Sequence, residues 1–410
     1  MDNLIYWCNR LHGLIATHLY YVPLGRKVPG AFRVGLLSTA IVDPSALIFP
    51  ALTSLDVILY AIASSDQKVA QSLAKQYSFQ KSYESCEALL SDPAVDFVYV
   101  ALPPHLRFDW VFKALSAGKH VLLDKPFALN GPEASELMDH ARKAGKVLME
   151  TSPSQFHPSV HRLKELLNSG GIGHVFRADV SVTTTTWLGQ RKLDPRWQYQ
   201  LGGGSLISMG DAIGLCRFIL HLRLPAEIIR ARATTTLNDP RVDTSMTAVL
   251  RYRRSQAVNA SVTQEHDLIL NISTDLSRRW LFGIIPRFWE LPTLTIETEK
   301  AHIIFYNISS PHLFHYIAIK DKSSGIWKYH WLYKSLYLSQ GRGAMFWSSQ
   351  RYQLEAFVDK LKGRESVCWT SSQENVMTSE TIDMLYRKSE LPIRPSSMLA
   401  SSTFADSVAR

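Results

Sequence analysis

Between residues 32 and 149, short and almost wholly apolar runs alternate with segments of helical spacing. Phe32 to Leu37, Val57 to Ala63, Asp96 to Leu102, Val121 to Leu123 and Val147 to Met149 are too short and too apolar for surface strands. Runs of this kind belong in a parallel sheet covered on both faces. Between them, Val69-Leu73-Ala74-Tyr77, Trp110-Val111-Ala114-Leu115 and Ala134-Leu137-Met138-Ala141 carry helical spacing. Gly118 and Gly145 close two of these helices, and Asp43-Pro44 reads as a helix start. Strand and helix alternating at this interval predict a doubly wound parallel sheet, an α/β Rossmann domain over residues 31–150. Ligands of such sheets sit beyond the carboxyl ends of the strands. Three loops lie there: the one after Leu37, the one after Leu102, and the turn Asp124-Lys125-Pro126.

From residue 151 the pattern changes. A helix from His157 to Asn168 ends at Gly170-Gly171. Alternating stretches follow at Val175 to Thr186, Ile228 to Thr236, Ser245 to Tyr252, Gln256 to Thr263, Leu294 to Glu299 and His302 to Tyr306, with helices over Ser205 to Leu222 and Trp347 to Leu361. This predicts a C-terminal α+β domain over residues 151–394 with a large, mostly antiparallel open sheet. A sheet with one helix-free face needs covering, so a homodimer is expected. Residues 395–410, rich in Ser and small side chains, read as a disordered tail.

The chain has 410 residues, 45 Lys and Arg against 36 Asp and Glu, and a formal charge of +9. The basic residues are dispersed and no Cys/His spacing suits zinc, so neither a nucleic-acid partner nor a metal is expected. The excess charge suits an anionic small molecule such as a nucleotide. Cys8, Cys86, Cys216 and Cys368 form no CxxC pair, which fits a reducing, cytoplasmic setting. No apolar run reaches the roughly 18 residues of a membrane span. Residues 1–30 form an apolar extension without the basic start of a signal peptide. They read as a helix packed on the protein itself or on a partner subunit, with peripheral membrane contact as the alternative.

The loop after the first strand reads Gly35-Leu36-Leu37-Ser38-Thr39-Ala40. It keeps one glycine of a G-x-G-x-x-G phosphate turn and places Ser38 where the close-approach glycine is expected. Ser38 and Thr39 can still offer donors to a phosphate; an ordinary strand–helix turn is the other reading.

The segment from Ala114 through Gly118-Lys119-His120-Val121-Leu122-Leu123-Asp124-Lys125-Pro126 is more specific. It resembles the A-G-K-H-V-x-x-E-K-P signature of the glucose–fructose oxidoreductase and inositol dehydrogenase family (Gfo/Idh/MocA), with Asp124 in place of the usual Glu. Ala46 to Ala51, Gly202-Gly203-Gly204, Val242 to Met246 and Tyr352 to Phe357 resemble further landmarks of that family. The similarity spans about residues 31–394 and is greatest to the dihydrodiol and D-xylose dehydrogenase branch. It implies an NAD(P)-dependent oxidoreductase acting on a hydroxyl or carbonyl of a sugar-like or secondary-metabolite substrate. Lys125 takes the catalytic role in this reading, beside the nicotinamide and the reacting oxygen; the alternative is contact with the cofactor ribose alone. The cofactor side is then Gly35, Ser38, Thr39, Ala40, Ser64, Ser65, Leu102, Pro103, His105, Asp124 and Lys125. The substrate pocket is Gln155, Trp187, Trp197, Ser208, Asp211 and Ala212. After the second strand the family often has a Ser-Arg pair for the 2′-phosphate of NADP, where this chain has Ser64-Ser65-Asp66. Asp66 reads as a helix cap and Lys68 as a compensating cation, so NADP is slightly preferred over NAD.

The chain departs from the family where acid–base chemistry is expected. The family helix usually reads G-G-G-A-L-x-D-x-G-x-[YH]; here Ser208 replaces the aspartate and Ala212 the tyrosine or histidine. Neither can exchange a proton near neutrality. In Glu150 to Pro158 Gln155 stands where an Arg is common, and Arg107 where a His is common. Three readings stay open. The proton group comes from Asp211, His105, His157 or Tyr199; or the step is redox-neutral, as in a cyclase or lyase; or the protein only binds. Trp187, Trp197, Trp280, Trp289 and Trp331 suit either an aromatic ligand or the core and subunit contacts.

Overall fold

The structure, a computed structural model, describes residues 26–38, 43–64, 66–185, 194–259, 262–278, 290–334, 342–364, 369 and 372–397. The extension through residue 25, together with Thr39, Ala40, Ser65, Trp187, Trp280 and Trp289, lies outside the described residues.

The first half is the expected parallel sheet. In chain order come β1 (Phe32–Ser38), α1 (Ile48–Thr53), β2 (Val57–Ala63), α2 (Gln67–Tyr77), β3 (Lys81–Tyr83), α3 (Cys86–Leu90), β4 (Phe97–Ala101), α4 (Pro104–Ser116), β5 (His120–Leu123), α5 (Gly131–Lys143) and β6 (Leu148–Glu150). The strands are all parallel, in the order β3-β2-β1-β4-β5-β6. The order reverses between β1 and β4, so a crevice opens beyond Ser38 and its ladder partner Ala101. Asp66 caps α2, accepting from Lys68 N and Val69 N, as its place before the helix predicts.

The second half is an eight-stranded sheet. A 3-10 turn (Pro153–Phe156) leads into α6 (Pro158–Asn168), β7 (Val175–Thr185), α7 (Ser205–Ser208) and α8 (Asp211–Leu220). Then come β8 (Glu227–Thr235), β9 (Asp243–Asn259), β10 (Val262–Arg278), β11 (Thr293–Thr298), β12 (Ala301–Tyr306), β13 (Tyr316–Asp321) and β14 (Trp327–His330). The sheet order is β14-β13-β12-β11-β7-β10-β9-β8, antiparallel except for β7 beside β10. Helices α9 (Ser349–Leu361) and α10 (Ser372–Lys388) close the chain.

Four features differ from the sequence reading. The two stretches Ser245 to Tyr252 and Gln256 to Thr263 are not separate strands: the first, and the second as far as Asn259, belong to one long strand, β9, which pairs with β10, and Val262 and Thr263 begin β10. The helix expected over Ser205 to Leu222 breaks at Met209-Gly210. A side chain at Gly210 would meet the Ile382 Cδ1 methyl of α10 at 2.6 Å, so this glycine lets the two helices pack closely. Helix α9, read with the second domain, packs on the first. Phe357 meets Phe97 of β4 edge-on at 5.2 Å, and Arg351 donates to Pro50 O and Thr53 Oγ1. The tail read as disordered from residue 395 is held at its start: Asn130 Nδ2 donates to Ser396 Oγ, and Ser397 N donates to Glu133 Oε1 at 2.7 Å.

The run Tyr199–Leu220 has the length and apolar composition to cross a membrane, yet most of it is buried inside the protein. Cys86 and Cys216 are buried free thiols.

Candidate active site

The Asp124-Lys125-Pro126 turn leaves β5 at the carboxyl edge of the sheet and is tied on both sides. Arg107, buried in α4, donates from Nε to Leu102 O (2.6 Å), from Nη1 to Asp124 O (2.9 Å) and from Nη2 to Asp124 Oδ2 (2.9 Å). Across the turn, Thr151 Oγ1 accepts from Lys125 N (3.2 Å), and Thr151 N donates to Leu123 O (2.7 Å). One guanidinium thus joins the end of β4 to the turn after β5. Arg107 stands where the family resemblance expected a histidine, and its role is to hold Lys125 in place. Asp124, read as a cofactor contact, is its ion-pair partner.

Lys125 Nζ donates to Asp211 Oδ2 at 2.8 Å, which bridges the first domain to the first turn of α8. The lysine keeps 43% of its side chain open. The walls disfavour its charge, but Asp211 foremost, then Asp124 and Glu150, outweigh them and lift its pKa above the ordinary lysine value. Lys125 therefore stays protonated near neutrality. Glu150, at the end of β6, is lifted to about 7, first by burial and then by the Asp211 carboxylate.

Two spaces meet at this lysine. An open cleft of about 1180 Å³ runs between the domains, with Arg107, Lys125, Thr183, Arg196, Ser208 and Asp211 on its walls. A smaller one of about 500 Å³ lies behind, lined by Lys125, Glu150, Gln155, Ser208, Asp211 and residues of α10. Gln155, Ser208 and Asp211 thus line one space with Lys125. Ala212 is buried beside Gln155 and Asp211. Glu150 was only a landmark in the sequence; its place at a strand's carboxyl end next to the lysine turn was the available signal.

Other expected residues fall elsewhere. A side chain at Gly35 would meet Leu89 Cδ2 at 2.6 Å, so this glycine answers to the protein's own core. Ser64 is buried, its Oγ accepting from Asp66 N. His157 is fully buried and packs edge-on against His315 at 5.1 Å, and Tyr199 Oη donates to Ile393 O at 2.6 Å, so both serve the scaffold. Trp197 is half-buried against the core, and Trp331 stacks outward on Tyr329. The glycines 202–204 are set by packing as well. A side chain at Gly204 would meet Arg394 Nη2 and Asp243 Oδ1, a fully buried ion pair of 2.6 Å.

The crevice beyond β1 and β4 has a polar group that fits a nucleotide. His105, in the first turn of α4, has a buried Nδ1 with no hydrogen-bond partner among the described residues, and burial lowers its pKa. Ser38, Leu102 and Pro103 border the same crevice at the ends of β1 and β4.

A parallel sheet in this order, joined through a lysine turn to an open antiparallel sheet, defines a two-domain fold whose first domain is of the dinucleotide-binding type. Residues 49–152 match the profile of the oxidoreductase family with an NAD-binding Rossmann fold, Gfo/Idh/MocA. It is 36% identical over 221 residues to a D-xylose 1-dehydrogenase (NADP(+)) of Haloferax volcanii, which covers 53% of this chain and 65% of the relative. It is 32% identical over 216 residues to a trans-1,2-dihydrobenzene-1,2-diol dehydrogenase of Xenopus tropicalis, covering 51% and 62%. An uncharacterized oxidoreductase of Rhizobium meliloti is 34% identical over 181 residues, covering 43% and 52%. The chain therefore spans less than two thirds of the length of these relatives. Among solved structures, a 3-ketoreductase from Actinomadura kijaniata in complex with NADP and TDP-benzene shares the fold with a TM-score of 0.68, at 21% identity over 87% of this chain and 97% of that one. An aldose-aldose oxidoreductase from Caulobacter crescentus does so with a TM-score of 0.69 at 18% identity, covering 89% and 98%.

Proposed function

We propose that the protein is an NAD(P)-dependent oxidoreductase acting on a hydroxyl or carbonyl group of a sugar-like or comparably sized organic substrate. The observation that carries this is Lys125, charged and open to the inter-domain cleft, at the carboxyl edge of a dinucleotide-type sheet. Ser38, Leu102, Pro103 and His105 border the cofactor side, and the cleft wall at Arg196, Ser208 and Asp211 receives the substrate. A bound nicotinamide supplies the site of hydride exchange. Lys125 donates a hydrogen bond to the reacting oxygen and stabilises negative charge that develops there. Its ammonium group also holds the Asp211 carboxylate in place at 2.8 Å. The hydroxyl proton passes to the carboxylates behind Lys125, where Glu150 has the affinity to take it up near neutral pH. This pair takes over the task that Ser208 and Ala212 cannot perform.

Fluorescence titration with NADH and NADPH tests the reading. Saturable binding of at least one is expected, with a modest preference for NADPH from Lys68; absence of binding at millimolar concentration overturns it. The role of Glu150 has its own test. For alcohol oxidation, kcat/KM should rise with pH through about 7 as Glu150 loses its proton. In Glu150→Gln this limb should vanish and the rate should fall by about 10²-fold; an unchanged profile removes Glu150 from the proton path.

We infer further that the outer face of the eight-stranded sheet pairs with a second copy. It exposes Phe314, Trp327, Tyr329 and Trp331 near one edge. Light scattering should report a dimer. The two buried thiols are consistent with a reducing, cytoplasmic compartment.

A further inference from the structure

A second concave site lies in the eight-stranded domain and shares no lining residue with the spaces around Lys125. It is an open concavity of about 1000 Å³ between the end of α6, the end of α8 and the β9–β10 ladder, with the turn before β12 at its rim. Arg254 and His266 face each other across that ladder, and the His174 and His266 rings lie 4.9 Å apart. Lys300 stands on the rim turn, and His221 closes the end of α8.

The charge in this pocket is unbalanced. The side chains of His174, Arg254, His266 and Lys300 make no hydrogen bond or ion pair among the described residues. Glu299 is the one carboxylate on the described lining, and its Oε2 accepts from the backbone N–H of His174 at 3.2 Å. Arg254 is half-buried, and burial lowers its pKa. Burial lowers the pKa of His266 too; His174 and Arg254 add to this, and Glu299 and Asp267 oppose it more weakly. A half-buried guanidinium among imidazoles, with no carboxylate paired to it among the described residues, is an arrangement with an electrostatic cost that a bound anion relieves. Arginine is also the side chain whose planar donors match phosphate oxygens in pairs.

We propose that this pocket binds a phosphoryl group, as inorganic phosphate or as the phosphomonoester of a small metabolite. Arg254 takes two phosphoryl oxygens. His266, His174 and Lys300 supply the remaining donors, and the side facing His221 admits the rest of an ester. The site is separate from the candidate active site, so its occupant is an effector or a second ligand, not the substrate undergoing redox chemistry.

The test is isothermal titration of the full chain with inorganic phosphate and, separately, with glycerol 3-phosphate. Each is run at constant ionic strength with saturating NADP, so that the dinucleotide crevice does not compete. Saturable binding of either is expected, weakened at least tenfold in Arg254→Gln and in Lys300→Gln while NADP affinity is unchanged. Tighter binding of the ester points to a metabolite, and equal or tighter binding of inorganic phosphate to the free anion; both support the site. No saturable heat, displacement by chloride at equal ionic strength, or full retention of binding in Arg254→Gln overturns it. The two single variants lie on different elements, so misfolding of one leaves the other to decide.

Discussion

Lys125→Ala lowers kcat with NAD(P) by about 10²–10³-fold, the loss typical of removing one preorganised donor to a developing oxyanion. Cofactor affinity changes little, because the sheet edge that carries His105 and Ser38 does not depend on the lysine side chain. The cause lies in the geometry of the turn. Arg107 and Thr151 anchor its backbone, so truncating Lys125 removes the cation without releasing the loop. Asp211 loses its partner at 2.8 Å, and Glu150 loses a nearby cation that lowers its pKa. Lys125→Arg should not restore the rate, since a planar guanidinium cannot replace a compact ammonium ion in the same space. Steady-state kinetics combined with a cofactor titration checks this. A variant with full kcat, or one whose loss is entirely in cofactor binding, would leave Lys125 as a ribose contact.

The largest effect on stability is expected at Arg394, near the end of the described chain. Its Nη2 pairs with Asp243 Oδ1 at 2.6 Å, with both side chains fully buried. Its Nε donates to Gly203 O, and its guanidinium lies over the Tyr386 ring at 4.1 Å. Asp243 is further held by Ser205 Oγ, Leu206 N and Tyr386 Oη. Removing one partner of such a pair strands a buried charge, at about 3–5 kcal/mol. Arg394→Met should therefore lower the thermal midpoint by roughly 10 °C. Truncation before residue 394 should do the same. Thermal unfolding by circular dichroism measures both, and a shift within error would show that the network is not needed.

Much of the first domain was legible because parallel strands buried on both faces are short, apolar and separated by helices of ordinary length. Phe97 to Ala101 and Val121 to Leu123 have no other place to go. The second domain was harder. The inward side chains of β10, Leu268, Leu270, Ile272 and Leu276, do alternate, but charged residues at its start obscure the strand. Strands β13 and β14 lie at the sheet edge, where many side chains are exposed and periodicity weakens. Helix α10 has mixed polarity because it is wedged between α5 and α8, and no single stripe of it is apolar.

What the sequence alone determined is the sheet of the first domain, the family resemblance, and the position of Lys125 at a strand's carboxyl end. These follow from periodicity and from a short motif, both local. The tertiary structure decided what Lys125 faces. Asp211 lies 86 residues away in the chain and Glu150 on a neighbouring strand. Only the docking of α8 against the sheet edge brings these three charges together. It also decided that Gly35 and the glycines 202–204 serve close packing, and that Arg394, far along the chain, completes the core around Asp243. Burial and charge coupling arise from groups distant in sequence, so no local pattern encodes them.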